Sequence, residues 1–528
     1  MNAMAGKVNK AREAAEENRS CALTKILSLD EIGQVVQRHK TRGQTVVQAH
    51  GTFDLLHPGH LKHLEAAKQH GDILVVTVTG DKYVNKGPNR PVFSEQLRAE
   101  MLAALEIVDY VGLNQHPDAV PAILKVRPSH YIKGSDYRNP DMDITGKITE
   151  ERKAVESGGG SLVFTDEITF SSTELLNRNF NIYEPHTRQY LEQMRSDSGA
   201  AGVVQAIERI ADCSVLLVGD AIIDEYQYVH AMGKAAKENM IATRFQDVEQ
   251  FAGGVFATAN HIASFCKQVD VVTVLGSDDR HEALIRKSLK PNVNLRALYR
   301  PGAPTTRKVR FVDPNYMRKL FEVYYMDDSP LLQDMQAQLG DVIAGCIADF
   351  DVVVANDFGH GLIGPQAVKI LTDKARFLSV NAQSNSANMG YNLITKYPRA
   401  DFICIDMPEA RLALSDKVSS VEDILAHELP ARIDCSRFII THGKHGCYAY
   451  ERGEVVHAIP AITKSVVDTV GAGDAFFGIV SPMVAIGCPI NVAGFIGNIA
   501  GALKVNIVGH QRSVEKVDVI KSIHALLK

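Results

Sequence analysis

Cysteine is scarce in this chain. Eight residues, Cys21, Cys213, Cys266, Cys346, Cys404, Cys435, Cys447 and Cys488, are scattered over 528 positions. No C-x-x-C pair occurs among them, which excludes a disulfide framework and a zinc site of paired thiolates and leads to the expectation of a reducing cytoplasm. Basic charge is not in excess either: 57 Lys and Arg stand against 62 Asp and Glu, a formal net charge of -5. Nothing in that balance draws the chain to nucleic acid or to an anionic membrane. The opening segment MNAMAGKVNKAREAAEENRS has no apolar h-region, so it reads as a polar, frayed segment and not as a secretory signal. A long apolar run is also missing. The nearest approach, Phe476 to Val508, is broken by Pro482, Pro489, Asn491, Asn498 and Lys504, which suits a buried helix pair better than a membrane span. Internal repeats and low-complexity tracts are absent.

What is present is an ordinary globular composition, 45% hydrophobic and 23% charged, ample for large cores. At roughly 150 residues per domain the length corresponds to about three and a half domains, so a single compact domain is excluded. Short β-branched runs alternate with longer helical patterns, the signature of α/β domains with largely parallel sheets. The first series predicts strands at Thr45–Ala49, Ile73–Thr79, Asp109–Leu113 and His130–Lys133. Helices are expected between them at Gly59–His70, Ser94–Leu105 and Ala119–Val126. Residues 181–212 carry no strand pattern and are expected to form a helical connector. A second series starts at Ser214–Gly219 and runs through strands near Val269–Leu275, Val309–Val312, Asp351–Ala355, Phe377–Val380, Phe402–Ile405 and Phe438–Thr441. The expected division is therefore an extension (1–44), a first domain (45–180), the connector (181–212) and a second domain (213–528).

The first chemically distinctive segment, Gly51-Thr52-Phe53-Asp54-Leu55-Leu56-His57-Pro58-Gly59-His60, lies where the first strand of a parallel sheet ends and a helix begins. Ligands of open α/β sheets bind at that edge, and a helix N-terminus offers unpaired N–H groups and a positive dipole end. His57 and His60 can both face one anion there and donate to an α-phosphoryl group in its charged transition state. A lone His-x-x-His is usually only a helix cap. This run, however, resembles the H-x-G-H motif of the nucleotidyltransferase superfamily, which includes the glycerol-3-phosphate and choline-phosphate cytidylyltransferases. Lys86-Gly87, Lys133 within Tyr131-Ile132-Lys133-Gly134-Ser135-Asp136-Tyr137, and Ser171-Ser172-Thr173 resemble further phosphate-binding segments of that superfamily in the same order. The resemblance implies a Rossmann-like domain in which Gly51, Thr52, Phe53, Lys86, Lys133, Ser171, Ser172 and Thr173 hold nucleotide and phosphate, with His57 and His60 as the catalytic pair. The glycine run 158–160 is read as a helix-to-strand loop.

The second segment is Asp468-Thr469-Val470-Gly471-Ala472-Gly473-Asp474. Small residues that open an apolar helix let backbone N–H groups approach an anion closely, and an Asp in the first turn can take a proton from a substrate hydroxyl. No Walker A sequence occurs. The run resembles the D-T-x-G-A-G-D signature of the ribokinase-like (PfkB-type) sugar kinases. That resemblance implies a larger ribokinase-like α/β domain with Asp474 as general base and Gly471, Ala472 and Gly473 as the phosphate cradle. It further implies Asp224, Gly253, Gly254 and Asn260 at the sugar, and Thr441 and Gly443 at the nucleotide. Asp406 and Glu409 would hold Mg2+. Two positions depart from the heptose-kinase pattern: Asp406 replaces an Asn, and Asp357-Phe358-Gly359-His360-Gly361 lacks the Lys of D-Y-x-K-G, which leaves the sugar open. Gly359-His360-Gly361-Leu362-Ile363-Gly364 also spells G-x-G-x-x-G, but no acid follows at the end of the next strand, and D-F-G stands without the other protein-kinase motifs.

Kinase and transferase on one chain resemble the bifunctional heptose-phosphate kinases and ADP-heptose synthases of lipopolysaccharide assembly, with the domain order reversed. A phosphatase acts between the two steps in that family. The resemblance implies ATP-dependent phosphorylation of a heptose 7-phosphate-like sugar and nucleotidyl transfer to a sugar 1-phosphate, with ATP and Mg2+ as cofactors and a homodimer or higher homo-oligomer, as kinases of this family often pair through a lid sheet. Two alternatives stay open. Gly51-Thr52-Phe53-Asp54 with Lys62 resembles glycerol-phosphate cytidylyltransferases and points to CTP and a CDP-activated polyol or sugar. Alternatively, one domain is an inactive sensor or assembly platform.

Overall fold

Val46-Val47 and Ile73–Val76 are buried on both faces, as strands in the middle of a parallel sheet must be. They belong to the first of two units into which the computed structural model divides between Ile182 and Tyr183. Described are residues 23–84, 90–134, 147–165, 183–315, 317–463 and 466–527. The first unit contains β1 (Ile26–Leu27), β2 (Val46–Gly51), β3 (Ile73–Thr79), β4 (Tyr110–Asn114), β5 (His130–Gly134) and β6 (Ser161–Thr165). They pair in the order β1-β4-β3-β2-β5-β6, and every pairing is parallel. Helices Pro58–Gln69, Glu95–Ala103, Val120–Val126 and Ile148–Ser157 connect them. Strand order reverses between β2 and β5, which opens a crevice at their carboxyl ends. This is a Rossmann-like α/β sheet.

The expected 1–44 extension is structured from β1 onward. Ser28 caps the helix Leu29–Thr41 in a reciprocal box with Glu31, and Ile32 and Val36 of that helix are buried. A two-residue edge strand is too short to leave a periodic signal.

The second unit holds β7 (Ser214–Gly219), β8 (Ala221–Lys234), β9 (Ile241–Gly254), β10 (Gln268–Gly276), β11 (Val293–Arg300), β12 (Thr306–Asp313), β13 (Arg318–Tyr325), β14 (Val352–Asp357), β15 (Leu378–Ala382), β16 (Phe402–Asp406), β17 (Arg437–Thr441), β18 (Cys447–Glu451) and β19 (His457–Ile459). Nine of these form one sheet, β11-β10-β7-β14-β15-β16-β17-β18-β19, antiparallel only at β17-β18-β19. A second sheet, β13-β12-β8-β9, rises from the end of β7 as a lid. The main sheet has a core on each face. One packs β7 and β10 against the helices Val255–Ala263, Ala472–Ala485 and Ile490–Lys504; the other faces Gln333–Cys346, Pro365–Lys374 and Met407–Leu414. This is the ribokinase-like arrangement.

The predicted connector is not separate. Its helices Pro185–Asp197 and Gly199–Glu208 bury Leu191, Met194, Val203 and Ile207 in the core of the second unit. The long strands β8 and β9 were not expected, because their polar outer halves carry no β-branched run. Phe476 to Val508 does form a buried helix pair, and among the described residues no helix is long and apolar enough to cross a membrane.

The two helices of that pair cross closely at Gly497, where a Cβ would lie 2.6 Å from the Phe476 ring and 2.7 Å from Val480. Gly497→Ala is expected to destabilise the second unit by about 1–3 kcal/mol. The check is denaturant unfolding, in which the midpoint falls at an unchanged slope.

Candidate functional site

In the first unit, β2 delivers the chain to the switch-point crevice, and the turn that follows is held from several sides. Phe53 adopts a left-handed φ of 49° and is buried, with its ring centroid 5.2 Å from that of His60. Asp54 is buried too: it accepts from the N–H groups of Val92 (2.7 Å) and Phe93 (3.1 Å) and pairs with Arg90 at 2.7 Å. Arg98 is fully buried and donates to the carbonyls of Thr52, Thr79 (2.8 Å) and Phe93 (3.0 Å) and to Asp81 (2.6 Å). The turn, the end of β3 and the loop before Ser94 are thereby locked together. Sequence reasoning missed Arg98, although a lone Arg beside Ala99, Leu102 and Ala103 on one helix face is a readable signal.

His57 is the N-cap of Pro58–Gln69, and its Nδ1 accepts from Gly59 N–H at 3.1 Å. That bond makes Nε2 the protonated nitrogen of the neutral ring. His57 and His60 stack at 3.9 Å between centroids. His50, at the end of β2, is pulled down to about 3 by burial and then by the charge of Lys133, so it is neutral and bonds Thr77 at 2.9 Å. Lys133, expected to neutralise phosphate, pairs instead with Glu151 at 2.8 Å, so its charge is already balanced. Gly51 packs under the Phe53 ring, 3.1 Å from the position of a Cβ. Lys86, Ser171, Ser172 and Thr173 lie outside the described residues.

In the second unit the site follows the carboxyl ends of the parallel strands. Asp474 sits in the first turn of Ala472–Ala485, whose N-cap Gly471 has φ 77°. Its carboxylate accepts from Gln383, just beyond β15, at 3.2 Å. Burial raises its pKa, opposed by the charge of His510 and the Gln383 bond. His510 also reaches Asp224 at 3.2 Å, and Asp224 pairs with Arg310 across the lid. Burial would raise Asp224, but the bonds from His510 and Arg310 outweigh it and hold the carboxyl well below the usual range. Gly253 and Gly254 are required by close approach: a Cβ on the first would overlap Asp224 Oδ2, and the second has φ 54°. Thr441 lies in register with Asp406, and Gly443 (φ 51°) and Gly446 (φ 94°) turn the loop beyond it.

Two expectations need correction. Asn260 does not face this cluster: its amide donates to Ser288 O and accepts from Lys290 N, both at 2.9 Å, and fixes that loop. Asp406 and Glu409 form a reciprocal capping box at 2.8 Å each way, and the other Glu409 oxygen accepts from Ser384 N–H at 2.9 Å. Among the described residues no three potential ligands cluster for a metal. With both Glu409 oxygens and one of Asp406 committed to backbone, the pair does not fit a protein cage for magnesium. The metal is better treated as part of the nucleotide substrate.

The departures on the other side are informative. Burial, then Lys308, pulls His360 down to about 3, so it is neutral. Lys308, missed from the sequence, is the register partner of Asp224 and is buried, with its ammonium 5.1 Å over the Tyr324 ring. The lid thus brings a positive charge, Lys308, close to His360, while Lys396 pairs with Asp357 of the same segment.

One unit is a parallel sheet with a stacked His pair at a helix N-terminus, and the other is an α/β unit with an acidic residue on a glycine-opened helix; together they define a chain with two phosphate-handling domains. The pfkB family carbohydrate kinase profile matches residues 213–517, more than half of the chain, and the protein belongs to that family. The cytidylyltransferase-like profile matches residues 49–178. Curated relatives include bifunctional protein HldE of Methylobacillus flagellatus, 38% identical over 176 residues that make up 32% of this chain and 35% of the relative. HldE of Syntrophotalea carbinolica is 38% identical over 164 residues, 30% of this chain and 32% of the relative. The match thus spans about a third of those relatives. The chain is also similar to solved structures of ribokinase from Thermotoga maritima (TM-score 0.47, 18% identity, 59% of this chain and 99% of that one). Phosphofructokinase-2 from Escherichia coli gives TM-score 0.48 at 13% identity over 60% of this chain and 100% of that one.

His360 also fixes a pH dependence. Its folded value near 3 lies below the ordinary 6.5, so as pH falls from 6.5 the unfolded chain binds the proton first and stability is lost. His360→Asn is expected to remove about 2 kcal/mol of that loss at about pH 5. Denaturant unfolding of both proteins at about pH 7 and pH 5 reads the difference, and an equal loss of unfolding free energy in the two proteins would contradict it.

Proposed function

We propose that the second unit phosphorylates a hydroxyl of a sugar that already carries a phosphate, as a heptose 7-phosphate does. The first unit then joins a nucleotide to a sugar 1-phosphate with release of pyrophosphate. The observation that carries the kinase reading is the buried meeting of Asp474, His510 and Asp224 at the mouth of the Gly471–Gly473 turn. Asp474 takes the proton of the sugar hydroxyl, the oxygen attacks the γ-phosphorus of ATP, and ADP leaves with its magnesium. Asp224 orients the sugar. The buried Lys308 beside it favours an anionic substrate over a neutral sugar.

In the first unit a sugar phosphate oxygen attacks the α-phosphorus of a nucleoside triphosphate. His57 and His60 donate to the crowded phosphoryl oxygens, while Gly51, Thr52 and Phe53 shape the turn. The resemblance to the ADP-heptose synthases favours a nucleotide-activated sugar and ATP as donor. The cytidylyltransferase-like match keeps CTP as the competing donor. The seven cysteines among the described residues are free and buried, which suits a reducing cytoplasm. On the edge strand β13 of the lid, Phe321, Val323 and Tyr325 share one face and are exposed, an apolar face that pairs with a second copy of the chain.

The test supplies each nucleoside triphosphate with a panel of sugars and sugar phosphates and follows ADP and pyrophosphate separately. Asp474→Asn is expected to lower sugar phosphorylation by about 1,000-fold and leave pyrophosphate release intact. His57→Ala with His60→Ala is expected to do the reverse, by about 100-fold or more. Sugar phosphorylation undiminished by Asp474→Asn removes the general-base assignment, and an inert first unit makes that domain a sensor.

A further inference from the structure

The geometry points to Lys504 as a built-in cation of the kinase site. Its ammonium fills a cage of backbone carbonyls behind the phosphoryl cradle, in a place that a bound monovalent cation would otherwise occupy.

Lys504 ends the helix Ile490–Lys504 and is fully inaccessible to solvent. Nζ donates to the carbonyls of Val470 and Gly509, each at 2.7 Å, and to that of Ile507 at 3.4 Å. No carboxylate shares these bonds. Removing an ammonium from water is costly, and a methionine would pack the same stem without that cost. Three converging carbonyl oxygens are the kind of donor set that replaces the hydration shell of a monovalent cation. Burial pulls the ammonium down to about 8, opposed by Asp468, Asp474 and Asp224, so it remains charged at neutral pH.

The position of the cage gives it a role. Val470 immediately precedes Gly471, and in a trans peptide the C=O and the following N–H point in opposite directions. Fixing the Val470 carbonyl therefore fixes the Gly471 N–H on the other side of that plane. The N–H groups of Gly471, Gly473 and Asp474 make no hydrogen bond among the described residues, so they are donors left for an anion. A Cβ on Gly471 would lie 3.2 Å from Lys504 Cε and 2.5 Å from the His510 ring, so the lysine stem packs directly against the cradle backbone. Lys504 is a positioning residue: it aims the donors and adds a fixed positive charge behind the transferred phosphoryl group.

The inference rests on the phosphoryl-transfer reading of this unit. Its test compares wild type, Lys504→Ala and Lys504→Met with K+, NH4+ or tetramethylammonium as the sole monovalent cation. Wild type is expected to turn over equally in all three. Lys504→Ala should lose about 100-fold in kcat in tetramethylammonium, with the KM for ATP little changed, and regain about tenfold in K+ or NH4+. Lys504→Met, whose stem still fills the space, should lose activity without rescue. In a second measurement, which needs no substrate, the Tm of Lys504→Ala should rise in K+ or NH4+ over tetramethylammonium while that of wild type stays constant. A wild type that requires K+, or a Lys504→Ala variant that is fully active or responds to no cation in either measurement, overturns the proposal. Wild type inert on every sugar defeats the kinase reading instead, and the Tm comparison then decides the cage alone.

Discussion

The carboxylate of Asp468 is the constraint on which the kinase site depends. One oxygen accepts from Lys319 Nζ (2.7 Å) and Val470 N–H (3.1 Å); the other accepts from the Tyr226 hydroxyl (2.6 Å) and Gly509 N–H (2.8 Å). Burial alone would raise its pKa, but these four donors hold it down to about 2. They come from β8 and β13 of the lid, from the cradle loop, and from the segment that supplies two of the carbonyls around Lys504. Lid position and cradle shape are therefore not independent variables: a displacement of one breaks charged, buried bonds to the other.

The two units share no motif, yet they solve one problem in the same way. Each must present backbone N–H groups at a helix N-terminus to a phosphate, and such a terminus is floppy unless the preceding loop is held. In the first unit Arg98 grips the carbonyls of Thr52, Thr79 and Phe93; in the second Lys504 grips those of Val470, Ile507 and Gly509. Both cations are fully buried. Both loops also contain a left-handed residue, Phe53 or Gly471. Preorganisation by a buried cation under the loop is thus a common device, reached with guanidinium geometry in one case and an ammonium in the other.

Much of this was legible from the sequence, for physical reasons that differ by element. Central parallel strands such as Ile73–Thr79 and Ser214–Gly219 are apolar on both faces and announce themselves at the correct residues. The glycine-rich and His-containing turns are readable because backbone approach and anion chemistry admit few residue types. The lid strands β8 and β9 were invisible, since each is buried on both faces at one end and exposed at the other, which erases strict alternation. Asn260 was misplaced because a resemblance in spacing carries no information about which side of a helix is used. Asp406 and Glu409 read equally as metal ligands or as a cap, and only the hydrogen bonds separate the two. Lys308 and Arg310 were missed because the groups they face lie about 85 residues away in the chain, where no local window reaches. Lys504 was read only as a break in an apolar run, because bonds to backbone carbonyls leave no residue signature.

Each unit also closes its own boundaries. In the first, β1 fills the sheet edge beside β4; in the second, the final helix, Lys516–Leu526, shares one core with Pro185–Asp197 and Gly199–Glu208. Among the described residues, the core clusters of each unit contain only residues of that unit. Among the described residues, each core is thus assembled from one stretch of chain, 23–165 for the first unit and 183–527 for the second.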